Sequence, residues 1–66
     1  MRVEYHCDGQ EPVTLPLDRL LRRLLIDDGV SIRIVDTINA EVELLGHSRG
    51  THELGNFVVR RAKEGK

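Results

Sequence analysis

The chain has 66 residues, enough for one small domain, and its ten Lys and Arg against eleven Asp and Glu leave a formal net charge of −1. That balance argues against a dedicated nucleic-acid binder, whose footprint is strongly basic. A chain this short buries only roughly 60% of its unfolded surface. With a single cysteine, Cys7, it cannot gain an internal disulfide, so self-association is the expected compensation.

A lone thiol suits a reducing compartment, and a cytoplasmic location is expected. The N-terminal stretch "MRVEYHCDGQ" lacks the apolar region of a signal peptide, and no apolar run approaches the length of a membrane span. No Cys/His zinc spacing is present, and neither a cofactor nor a metal is expected. Tyr5 and Phe57 are the only aromatics, so Leu, Ile and Val must build the core.

"RVEYHC" alternates: Val3, Tyr5 and Cys7 face one way, Arg2, Glu4 and His6 the other, as in a half-buried strand. "DGQEP" supplies a turn, and "VTL" at 13–15 a return strand, which the flanking Pro12 and Pro16 confine to a sheet edge. "PLDRLLRRLLIDDG" predicts the clearest element. Leu17, Leu20, Leu21, Leu24 and Leu25 recur at helical spacing, Thr14 is a candidate N-cap and Gly29 a natural C-terminal stop. Asp27 and Asp28 oppose the helix dipole, an effect that an Arg23–Asp27 pair offsets by about 0.3–0.5 kcal/mol.

"VSIRIV" at 30–35 is β-branched and predicts a strand; "AEVELL" at 40–45 alternates and predicts another, with Asp36–Asn39 as the turn. A helix over 37–45 is the alternative, since Ile38, Val42 and Leu45 also share a helical face. "GHSRGTHELG" at 46–55, with three glycines and no apolar pattern, predicts a loop. "NFVVRRAK" predicts a last strand in preference to a helix interrupted at Gly55, and "KEGK" a frayed end.

The expected fold is a single small α+β domain over 1–66, a single-layer sheet in ββαβββ order with one amphipathic helix packed on one face. That order resembles the β-grasp, or ubiquitin-like, arrangement in element order alone. Ubiquitin-like and sulfur-carrier members of that family conjugate through a C-terminal Gly-Gly. Here the chain ends Glu64-Gly65-Lys66, so the resemblance implies no conjugation.

"GHSRG" at 46–50 matches Gly-x-Ser-x-Gly, the nucleophile elbow of α/β-hydrolases. The elbow needs a strand, a strained turn and a helix within a large sheet, with acid and base following the serine. Only His52 follows Ser48, four residues on, so the match is read as a Gly-rich connection. His47, His52 and Glu53 have neither a helical nor a zinc-finger spacing and are read as solvated loop residues. His6 and Cys7 adjoin but point to opposite faces of a strand, and Cys7 is expected to be buried. Arg19, Arg22, Arg23, Arg33, Arg60 and Arg61 would grip phosphates if they converged, without the aromatics that stack on bases.

A small sheet has edges, and edges pair with partners or with a second copy. The expectation is therefore a non-enzymatic protein-interaction module of accessory, regulatory or inhibitor type. It would dock on a larger protein or form a homodimer through a strand edge, without a membrane. Its contact residues would be Arg19, Arg22 and Arg23 on the helix and His47, Arg49 and His52 in the loop. A small nucleic-acid-binding regulator using an arginine patch is the alternative, and a serine hydrolase using Ser48 the third reading.

Overall fold

Alternation makes β1 (Arg2–Cys7) a strand with Val3, Tyr5 and Cys7 buried and Glu4 and His6 half-exposed. β2 (Val13–Pro16) returns antiparallel beside it, placing Leu15 opposite Val3 and Val13 opposite Tyr5. The chain then enters α1 (Leu17–Arg22), one π-helical turn (Arg23–Asp27), α2 (Ile32–Leu45), β3 (His47–His52) and β4 (Gly55–Arg61). This computed structural model describes residues 1–63; the end at Glu64-Gly65-Lys66, including the expectations placed on it, lies outside the described residues.

The four strands form one antiparallel sheet in the order β2-β1-β4-β3. Leu17, Leu20, Leu24, Val35, Ile38 and Val42 from the helical segments join Val3, Tyr5, Phe57 and Val59 in one buried cluster. Both helices thus cover the same face of the sheet, and the opposite face is open to solvent. The α+β class and the edge position of β2 hold, and β4 is the strand expected around Phe57–Val59.

The element order differs: it is ββααββ, and the likeness to the β-grasp order goes with it. Residues 32–45, expected as two strands, are one helix. Val35, Ile38 and Val42 lie three and four apart and are all buried. Ser31 caps the start, its Oγ accepting from the Ile34 N–H at 3.4 Å, and Gly46 closes the end at φ +85°. Thr37, expected in a turn, bonds back to the Arg33 carbonyl at 2.9 Å as helical threonines do. Burying three branched side chains, at about 1.5–3 kcal/mol each, outweighs the few tenths that each loses in helix propensity.

The "loop" at 46–55 is the second correction, because it holds β3 and a two-residue turn, Glu53-Leu54. Gly50 sits in mid-strand because the Phe57 ring lies across it; a Cβ there would come within 3.2 Å of Phe57 Cζ. In the first helical segment Leu17, Leu20 and Leu24 are buried, whereas Leu25 is 39% exposed. The wider π turn, with Asp28 N–H donating to the Arg23 carbonyl, carries Leu25 off the stripe. Thr14 does not cap this helix; Pro16 occupies that position with no side-chain bond.

Candidate functional site

The six residues singled out from the sequence divide among three places. Arg19 and Arg22 are exposed on α1. Arg23 is half-buried and reaches Asp28 Oδ2 at 3.9 Å rather than Asp27. His47 and Arg49 stand on the open face of the sheet, opposite Arg60 and Val58 of β4. His52, an odd number of residues from His47, turns to the helix face.

His52 is fixed by its surroundings. Its ring stacks on Phe57 with centroids 5.0 Å apart, and Nδ1 accepts from the Leu54 N–H at 3.1 Å. The ring hydrogen therefore sits on Nε2 in the neutral form, which donates to the Tyr5 hydroxyl at 3.2 Å. Burial, the neighbouring Cys7 thiol and the Asp28 charge push the Tyr5 pKa up, so the hydroxyl stays protonated. Beside this group a cleft of about 220 Å³ opens between Val30, Ile34 and Leu54. Cys7 is buried as expected, its thiol directed at the Leu54 carbonyl, 3.9 Å away.

Ser48 is 2% exposed and donates to Glu41 Oε1 at 2.7 Å. Its strand follows a helix instead of feeding one, so "GHSRG" does not form a nucleophile elbow. The serine ties β3 to α2. Nearby, the Arg61 guanidinium donates to the Glu43 carbonyl at 2.9 Å. Among the described residues no three His, Cys, Asp or Glu side chains group as a metal site requires. No helix among them is long and apolar enough to cross a membrane.

What the chain exposes is strand edge. Arg61 N–H donates to the Gly46 carbonyl at 3.0 Å, and Ser48 and Gly50 face Val59 and Phe57. Antiparallel ladders alternate bonded and non-bonded pairs. Ser48, Gly50 and His52 therefore spend their backbone groups on β4, as Gly46 does its carbonyl, and those of His47, Arg49 and Thr51 point out of the sheet. At the other edge, Leu17 N–H donates to the Met1 carbonyl at 2.8 Å and Leu15 faces Val3. The same alternation turns positions 12, 14 and 16 outward. Two of them are proline, which leaves Thr14 as the one N–H.

The β3 edge also borders a groove of about 170 Å³ between α2 and the strand, walled by Arg33, Ile34, Thr37, Ile38, Arg49 and Phe57. On the open face, Glu4 accepts from the Arg60 guanidinium at 3.2 Å and lies 3.3 Å from His6 Nε2. Its carboxyl is held below the usual range, first by the His6 bond and then by Arg60. Among the described residues Arg33, His47 and Arg49 have no ion-pair partner.

Sequence reasoning singled out His47 and Arg49 and anticipated the proline-guarded edge, but placed no edge at 47–52. The Ser48–Glu41 bond had no signal, since its partners lie across a helix–strand joint. Gly46 as a helix stop was the available clue. Compared with known proteins, no family model, curated protein or solved structure matches this chain.

Proposed function

We propose that this protein is a non-enzymatic, cytoplasmic interaction module that binds a partner protein by adding an extended segment to the free edge of β3. One observation carries the reading: of the two sheet edges, β2 is guarded by prolines and β3 offers three successive outward residues without interruption. An added strand takes up those backbone groups, and its inward side chains fall on the groove beside α2. Ser48–Glu41 and Phe57 hold β3 in place from beneath, so the edge is presented on a rigid support.

The arginine-patch alternative has less to stand on. Of the arginines it would use, Arg19 and Arg22 are on α1, Arg23 reaches Asp28, Arg60 is engaged by Glu4 and Arg61 donates to the Glu43 carbonyl, which leaves Arg33 apart beside the β3 groove.

Selection of extended peptides from a random displayed library tests the reading. Selected peptides are expected to protect the His47, Arg49 and Thr51 amides from hydrogen exchange. Arg49→Pro, which removes an outward N–H and no ladder bond, is expected to weaken them at least about tenfold. Binders that leave those three amides unprotected overturn strand addition.

A further inference from the structure

We infer that the segment seated on β3 is acidic: an extended stretch of a partner protein carrying carboxylates at alternate positions. This rests on the strand-addition reading above. Both sides of the edge carry a guanidinium with no ion-pair partner among the described residues. His47 and Arg49 alternate on the open face, and Arg33 lies across the groove on the helix side. Of the carboxylates nearby, Glu4 is paired with Arg60, while Glu41 keeps its charge and directs Oε1 at the Ser48 hydroxyl beneath the strand. Glu53 stands in the turn past the end of the strand. A segment with Glu or Asp at alternate residues places each opposite His47 or Arg49, the arrangement that favours a cross-strand pair. Its other face meets Ile34 and Thr37 and calls for Val, Ile or Thr.

The same edge offers Arg49 no carboxylate from a second copy of this chain. A symmetric antiparallel pairing centred on residue 49 sets Arg49 against itself. Centred on residue 48, it sets Arg49 against His47 of the other copy; centred on residue 50, it leaves the two Arg49 side chains on adjacent diagonals. A nucleic-acid strand fits less well for a different reason. The edge presents carbonyls as well as N–H groups, and phosphates only accept hydrogen bonds. No aromatic stacking platform stands on the open face either, because Tyr5 and Phe57 are both buried on the helix side.

Three nine-residue peptides alternating Thr and Val with Glu, Gln or Lys test the inference on the full chain. Affinity is titrated by fluorescence anisotropy and the site read by amide exchange. The Glu peptide is expected to bind at least about tenfold tighter than the Gln peptide and to protect the His47, Arg49 and Thr51 amides. Its advantage should shrink as salt rises. Arg49→Glu is expected to reverse the order of the Glu and Lys peptides, with circular dichroism unchanged. Equal binding of Glu and Gln peptides with those amides protected overturns the acidic occupant and leaves strand addition standing. Failure of all three peptides to protect them overturns both. Tighter protection by an oligothymidylate, or concentration-dependent protection with no peptide, overturns the inference in favour of nucleic acid or of a second copy.

Discussion

β2 and β3 are both edge strands of one sheet, yet their sequences treat the edge in opposite ways. β2 is four residues long, with proline at one of its two outward positions, Pro16, and another, Pro12, just before it. β3 is six residues long, has no proline, and carries His47, Arg49 and Thr51 outward. The support beneath them differs as well. β2 is backed by half-buried Val13 and Leu15, whereas β3 is bolted to α2 through a buried serine and lies over the Phe57 ring. One edge is closed and the other braced, and the proposed strand addition rests on that difference.

The most damaging way to break the contrast is Phe57→Ala. Its ring is 5% exposed, crosses Gly50 and stacks on His52, so truncation leaves a cavity under β3. The expected loss is about 3–5 kcal/mol, a large share of the stability of so small a domain. Leu15→Ala, under β2, is expected to cost less than half as much because that side chain is only partly buried. Urea unfolding followed by circular dichroism checks both. Equal losses would mean that the two edges are braced alike.

Ser48→Ala probes the bracing more finely. It leaves the half-buried Glu41 carboxylate without its 2.7 Å donor, and a bond to a charged group is worth about 1.5–3 kcal/mol. Solvent access at Glu41 reduces the expected loss to about 1–2 kcal/mol. Glu41→Gln should reproduce most of it, and the double variant should cost little more than either alone. Additive losses in the urea midpoints would show that the pair does not act as a unit.

Much of this contrast was written where local chemistry and tertiary demand agree. The alternation of Val3, Tyr5 and Cys7 predicted their burial, and Pro12 and Pro16 predicted the guarded edge. It was illegible where two periods overlap. Ala40, Val42 and Leu44 alternate as in a strand, but the core selected the helical set Val35, Ile38 and Val42 and left Leu44 83% exposed. The β3 segment was hidden for another reason. Its inward positions are Ser48, Gly50 and His52, none of them apolar, because Phe57 of the neighbouring strand fills the space a β3 side chain would take. A strand whose hydrophobic contact is donated by its partner carries no pattern of its own. The candidate contact residues separated for a related reason: His47 and His52 share one strand and an odd spacing sends them to opposite faces.

Opening the guarded edge gives the smallest effect and the sharpest comparison. In a Pro12→Thr, Pro16→Thr variant, positions 12, 14 and 16 all present an outward N–H, so β2 matches β3 in unpaired donors. Each proline lost returns freedom to the unfolded chain, a destabilisation of about 0.4–1 kcal/mol per site. The informative readout is association. Thr14 and the two new threonines carry no charge to repel a second copy, unlike Arg49 on the opposite edge. Light scattering over a concentration series is therefore expected to show the variant forming dimers at concentrations where the parent chain does not. Amide exchange should place the new protection on residues 12–16. If the variant associates no more than the parent, the shortness of β2 closes that edge, and the prolines serve only to begin α1 and shape the turn.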